Sequence, residues 1–288
     1  MGSGTSKKGN LVITSCCGNK GEDRTTSPTS IQQLKQPVAQ HQNPPKEGRN
    51  SSTENTQNII NVKPIPQEHK MGSESFYIDI NFNYGKLSYT TFWRAWEKDA
   101  GLRDAMQQGV VTNLLKVSGE NKLIMIAKIS GDLLDDLLYS KIQVIAYYAD
   151  LMKVSVTPTY DYESFANIVN TITQVEETFE QLPSLDQNTG LFHILDIKME
   201  FRGMTQEDFL TIWKEEIKAA LGAKEKGIAL DILKSVAERR VFVLTRVDSL
   251  ALLDTIILTL PMMRKMGDQM YITSKRVSKF NTFIKQIN

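Results

Sequence analysis

Two aspartates occupy equivalent places in two short alternating segments, Ile78-Asp79-Ile80-Asn81-Phe82 and Leu195-Asp196-Ile197-Lys198-Met199, which stand 117 residues apart. In an extended strand every second side chain shares a face. Ile78, Ile80 and Phe82, with Leu195, Ile197 and Met199, therefore form an apolar face, and Tyr77, Asp79 and Asn81, with Ile194, Asp196, Lys198 and Glu200, form the other. Metal-free proton transfer needs an acid and a base within hydrogen-bond reach of one carbon framework, their proton affinities tuned by burial and by neighbouring charge. Asp79 and Asp196 are the candidate pair, with Lys198 and Asp231 behind them. The same residue types in a hydrated strand end would form ion pairs instead, and the spacing leaves both readings open. His193 shares the parity of Leu195 and Ile197, which suits a hydrogen-bonded core or strand-end histidine.

A second chemistry is written in the first twenty residues. Gly2, followed by Ser3, Gly4, Thr5 and Ser6, fits the pattern for N-myristoylation once Met1 is removed. One acyl chain binds a bilayer marginally, so stable anchoring needs a second signal. Lys7, Lys8 and Lys20, with no acid among the first twenty residues, attract anionic lipid at about 1 kcal/mol each. Cys16 and Cys17 are candidates for palmitoylation. The alternative is an ordinary polar start with two unmodified thiols.

The tail differs in composition from the rest. Residues 1–75 contain no Phe, Trp or Tyr and six of the nine prolines, among them Pro44 and Pro45. Such a segment cannot bury enough apolar surface to offset its ordering entropy, so 1–75 is expected to be a disordered tail. From Gly21 to Ser75 it makes a polar tether spanning roughly 40 Å as a random coil. A net charge of +1 and the lack of a basic aromatic platform argue against nucleic acid as a partner. No apolar run is long enough for a membrane span, and the start lacks a secretory apolar core. The expected location is cytoplasmic and peripheral on a membrane, with membrane lipid as partner. Both cysteines lie in the tail, and His41 and His69 with them, so no metal and no cofactor is expected in the folded part. Phosphate-binding glycine loops, nucleophile elbows and zinc-peptidase helices are missing as well.

The elements that must position these residues follow from an internal repeat. At an offset of 117 to 118 residues, Phe92 and Trp96 match Phe209 and Trp213, Asn113-Leu114-Leu115-Lys116 matches Asp231-Ile232-Leu233-Lys234, and Asp136, Asp150 and Met152 match Asp254, Asp268 and Met270. Each copy starts with an alternating strand, Phe76 to Phe82 or Phe192 to Phe201. A helix follows, capped by Ser88 or by Thr205, the latter with Asp208 three residues on. Its stripe, Phe92, Ala95 and Trp96 or Phe209, Ile212 and Trp213, has core spacing. Two strands come next, Val110 to Val117 and Leu123 to Ile129, or Ile228 to Lys234 and Val241 to Val247. A second helix begins near Asp132 or Asp248, and a last strand runs from Lys153 to Thr157 or Met270 to Thr273. This order is the ferredoxin-like split βαβ unit, with helices on one face of a four-stranded sheet. The bare faces of two copies are expected to close on each other, giving an intramolecular α+β barrel whose lining would take a ligand. The expected domains are the 1–75 tail, a first repeat over 76–182 and a second over 190–288.

Leu191-Phe192-His193 opening a strand, and Leu258-Thr259-Leu260-Pro261-Met262-Met263 closing a helix before Met270-Tyr271-Ile272, resemble the muconolactone isomerase family. The resemblance covers about 95 residues of the second repeat and implies the dimeric α+β barrel class. It also implies cofactor-free double-bond isomerisation of an unsaturated lactone, and it adds His193 to the candidate site. The first repeat has Ile142-Gln143-Val144 in place of the Leu-Pro motif. Two functions are therefore expected to compete: a membrane-tethered module that binds a small apolar ligand or a protein, and an isomerase working by proton transfer on a lactone-like or enone-like substrate. A weaker third is strand addition of a protein partner at a barrel edge.

Overall fold

The structure is a computed structural model that describes residues 74–182 and 190–287. The acylation and lipid-contact candidates Gly2, Cys16, Cys17, Lys7, Lys8 and Lys20 lie outside the described residues.

In the first repeat β1 (Glu74–Phe82) places Phe76, Ile78, Ile80 and Phe82 on one buried face, as its alternation requires. They pack on Phe92, Trp93 and Trp96. The helix α1 (Tyr89–Lys98) starts at Ser88, whose hydroxyl accepts from the Thr91 N–H. It does not run on as one rod. Asp99 ends it and caps α2 (Ala100–Gln107): one carboxylate oxygen accepts from the Leu102 N–H at 2.8 Å and the other from the Val144 N–H at 2.7 Å. At this corner Gly101 is required, because a Cβ would sit 1.8 Å from the Lys141 carbonyl oxygen. Strands β2 (Val111–Val117) and β3 (Lys122–Ile129) form a hairpin. The expected second helix is broken into α3 (Leu134–Asp136), a π turn and α4 (Gln143–Tyr147). Then come β4 (Met152–Asp161) and α5 (Tyr162–Ile172), which Asp161 caps.

The second repeat runs β5 (Leu191–Met199), α6 (Gln206–Glu225), β6 (Ala229–Ser235), β7 (Arg240–Val247), α7 (Leu250–Thr259), α8 (Pro261–Met266), β8 (Met270–Lys279) and α9 (Phe280–Ile287). Thr205 and Asp208 make a capping box for α6, so it forms a single rod of 20 residues. Ser249 caps α7. Pro261 opens α8 at its first turn rather than closing the helix before it, a position where its missing N–H costs nothing.

The eight strands close in the order β1-β3-β2-β8-β5-β7-β6-β4. The fold is the expected α+β barrel made of two ferredoxin-like halves in one chain. Pairing is long within each half, Glu74 to Asn81 along β3 for instance, and short at the seams, where β2 meets β8 over Leu115 to Val117 and β4 meets β6 over Thr159 to Asp161. Facing side chains fill the interior: Tyr77, Ile124, Ile126, Ile194, Phe242 and Leu244 belong to one buried cluster. The rings of Tyr77 and Phe242 stack with centroids 3.7 Å apart.

The helices that follow the last strands, absent from the sequence expectation, cross between the halves. α5 ends the first repeat, yet its Tyr162, Ala166 and Val169 join the core of the second. α9 ends the second repeat, and its Phe280 and Ile284 join the core of the first. Deleting large side chains from such cores typically costs 2–5 kcal/mol. Phe280→Ala and Ile284→Ala are each expected to lower the unfolding free energy by about 2–4 kcal/mol. Hydrogen exchange should show the loss of protection in α1 and β2 of the other repeat, against which α9 packs; loss confined to β8 would contradict the exchange.

Candidate functional site

The open-face residues come together at the barrel mouth. Asp79 Oδ1 lies 2.6 Å from Lys122 Nζ. Asp196 receives the Arg240 guanidinium on both oxygens, Nε at 2.8 Å and Nη2 at 2.9 Å. The two pairs are related by the repeat, since Lys122 stands opposite Asn81 and Arg240 opposite Lys198 in the same register. Arg240 lies over the Phe242 ring at 4.5 Å, and that ring stacks on Tyr77. Burial pushes the Tyr77 hydroxyl pKa up, and the carboxylates of Asp79 and then Asp196 push it further. The hydrogen bond to Asp196 holds the Arg240 guanidinium charged more firmly still.

The structure thus brings Asp79 and Asp196 to one phenol, each with its own cation. A carboxylate held in a bidentate fork is positioned, with both oxygens engaged. Lys198 is exposed on the rim. Asp231 belongs to another neighbourhood. It is buried, and Asn113, its counterpart in the first repeat, donates from Nδ2 to its Oδ2 at 3.4 Å across the barrel. Burial raises the Asp231 pKa, while Lys128 and Lys224 oppose that rise. His193 is buried with Nδ1 3.1 Å from Ser274 Oγ. Burial, and after it the charge of Arg276, lowers its pKa, which favours the neutral ring.

The barrel lining, expected to hold a ligand, is a packed core. Space opens instead on the helix side of the second repeat, where a cavity of about 70 Å³ lies between the sheet and α6, α7 and α8. Leu195, Ile197, Val241 and Val243 form its floor, and Leu253, Ile256, Ile257 and Met262 cover it. Its cause is side-chain volume. In the register that pairs Asn113 with Asp231, Leu102 and Val111 of the first repeat, both buried, face Ala220 and Ala229 in the second. Those smaller residues leave unfilled volume that close packing normally removes. Above it, α7 is apolar nearly all round: Leu253 is buried, while Leu250 and Leu258 are 57% and 64% exposed.

One ionisable side chain enters this wall from α6. Glu216 is buried, its Oε2 accepts from the Met262 N–H at 3.0 Å, and burial raises its pKa. Tyr162, from the exchanged helix α5, also lines the cavity, and its hydroxyl accepts from Trp213 Nε1 at 3.1 Å. The sequence signal for this place was the set of alanines on α6 and β6 beneath a largely apolar α7. Among the described residues no three His, Cys, Asp or Glu side chains converge as a metal site would need. No helix among them is long and apolar enough to cross a membrane.

No protein-family model matches the sequence, and no curated protein does. Among solved structures the chain is similar to a chlorite dismutase variant from Candidatus Nitrospira defluvii, at 10% identity and a TM-score of 0.45, over 74% of this chain and 93% of that one. It is similar to a proposed monooxygenase from Lactobacillus acidophilus at 9% identity and a TM-score of 0.45, over 72% and 94%. A third, a proposed chlorite dismutase, is 15% identical with a TM-score of 0.47, over 75% of this chain and 100% of that one. No residue's role passes to this chain from these likenesses.

The two mouth pairs differ in a way that can be measured. Losing a hydrogen bond to a charged group costs about 1.5–3 kcal/mol when it is well formed. Asp196→Asn, which breaks a two-point fork, is expected to lower the urea unfolding free energy by about that amount, and Asp79→Asn, with one contact, by less. Equal losses would mean that the fork contributes nothing beyond a single contact.

Proposed function

We propose that the folded part is a binding module for a small apolar molecule, tethered to a membrane by an acyl group on Gly2. The observation that carries the binding reading is the apolar cavity between the sheet and helices of the second repeat. Ligand sites are concave and mostly apolar, with few polar groups placed among them. The cavity has that character, and the barrel interior is already filled by its own side chains. Proton transfer at Asp79 and Asp196 has less support, since each carboxylate already faces a cation. The membrane reading rests on Gly2 through Ser6, with Lys7, Lys8 and Lys20 as the charged second signal.

Xenon enters dry apolar cavities, and Met199, Met262 and Met270 line this one. Under xenon pressure their ¹³C-labelled methyl resonances are expected to shift. In the double variant Ala220→Leu with Ala229→Val, which installs the first repeat's residues, the shift should vanish. Stability should stay level or rise, because each newly buried methylene contributes about 0.8 kcal/mol. Methyl resonances unmoved in the native protein would remove the binding reading.

Expression in a eukaryotic cell tests the tether. The native chain should carry the mass of one acyl group and sediment with membranes, and Gly2→Ala should abolish both. An unmodified native chain that stays in the supernatant would remove the anchor.

A further inference from the structure

The cavity wall is apolar apart from a few groups, and these are not equivalent. Tyr162 accepts from Trp213, and Thr245 donates to the His193 carbonyl oxygen. Glu216 is 8% exposed and receives a single hydrogen bond, on Oε2 from Met262; among the described residues Oε1 has no hydrogen-bond partner. No side-chain cation accompanies it either. The nearby Lys265 is bound on the outer face of α6 to Glu215, at 2.6 Å. Other buried carboxyls of this chain have more partners. Glu163 Oε1 meets Lys224, while its Oε2 has no hydrogen-bond partner among the described residues. Asp99, the repeat counterpart of Glu216, accepts the Val144 N–H as Glu216 accepts the Met262 N–H, and its other oxygen accepts a second N–H, from Leu102. Taking a carboxylate out of water without a partner is costly, and a group that supplies both a proton donor and a positive charge relieves that cost best.

We propose that the cavity binds a primary aliphatic amine, with its alkyl chain between the sheet and α7 and its ammonium group on Glu216. The inference rests on the binding reading above and names the class of ligand. An ammonium presents three donors and a compact charge, so it can satisfy the open carboxylate oxygen, whereas an alcohol brings a hydrogen bond without the charge. A fatty acid would set a second carboxylate against the first, and like charges at that distance oppose each other. The free volume of about 70 Å³ is roughly half of the 150 Å³ that admits benzene in an engineered apolar cavity. The resting cavity therefore takes a short alkyl group, and a longer chain requires α7 to move outward. Such a movement would unpack Leu253, Ile256 and Ile257 from over the cavity, while Leu250 and Leu258 are already exposed.

The test titrates n-butylamine, n-butanol and xenon against the methyl resonances of Met199, Met262 and Met270 in the full-length protein. Fragments of this size bind in the millimolar range. Butylamine is expected to bind at least tenfold more tightly than butanol. Glu216→Gln keeps an acceptor for the Met262 N–H and should bring the amine down to the level of the alcohol while leaving the xenon shift intact. Glu216→Met serves as a second variant with the same expectation. Amine and alcohol binding alike, or amine binding that survives both substitutions, would overturn the ligand class and leave the cavity as a binding site. Loss of the xenon shift in the native protein would overturn both.

Discussion

Each half of this protein is a four-stranded sheet whose helices cover one face, and the other face is as apolar as the first. That second face has to leave water, and the only matching surface at hand is its twin in the same chain. Tyr77, Ile124 and Ile126 from one half meet Ile194, Phe242 and Leu244 from the other. Full burial of side chains of this size stabilises by about 1.5–3 kcal/mol each. The short seams, with three residue pairs apiece, would not hold two sheets together alone. Closure by packing also explains why the barrel contains no chamber. What would be a binding cleft between two sheets is itself a buried cluster of the core, and at the mouth Asp79 and Asp196 have Lys122 and Arg240.

The exchange of terminal helices reinforces that closure. Lys116 and its counterpart Lys234 donate to two carbonyls of the hairpin turn that follows each: Val117 and Glu120 in one half, Ser235 and Glu238 in the other. Each ammonium also lies over aromatic rings, one supplied by the exchanged helix. For Lys116 it is Phe283 of α9; for Lys234 it is Phe165 of α5. Burial lowers both pKa values, that of Lys234 to about 8. The two halves have kept this joint on both sides. A feature preserved in both copies of a duplicated unit is best read as part of what holds the copies together, and the differences between the copies are where a private function can sit.

Much of the fold was legible in the sequence because its determinants are local. Alternation in β1 and β5, the caps Ser88 and Thr205, and the 117-residue offset each concern residues within a few positions of their partners or of their repeat counterparts. What was not legible depends on distant partners. Asp99 splits the first helix by capping α2 through the Leu102 N–H, and the Val144 N–H, 45 residues on, holds its second oxygen. Tyr162, Ala166 and Val169 have helical spacing, yet spacing does not say which half's core they enter. The mouth pairs were half legible: parity placed Asp79 and Asp196 correctly on the open face, while their cations, Lys122 and Arg240, come from neighbouring strands. The cavity was missed because it is a difference in volume. Alanines at 220 and 229 matter only once the residues around them are known.

The buried carboxyls show where such differences carry meaning. Asp99 ties the corner between α1 and α2 to α4, and Glu163 ties α5 to α6 through Lys224 and to the Leu182 N–H. Asp231 meets Asn113 across the barrel, with Lys128 and Lys224 near enough to oppose its rise in pKa. In these three cases burial is matched by donors or cations that link two elements, which is the pattern of a structural joint. Glu216 is the repeat counterpart of Asp99 and makes the same joint, its Oε2 accepting from the Met262 N–H as Asp99 accepts from the Val144 N–H, but it lacks the second N–H that Leu102 gives Asp99. It links α6 to α8 by one backbone N–H and otherwise faces the space that Ala220 and Ala229 leave open. A joint would be served as well by a neutral glutamine, and a core would be served better by leucine. A joint kept from the first repeat but left with one donor, placed at the wall where the second repeat has lost the volume of the first, is where binding chemistry is to be sought in this chain.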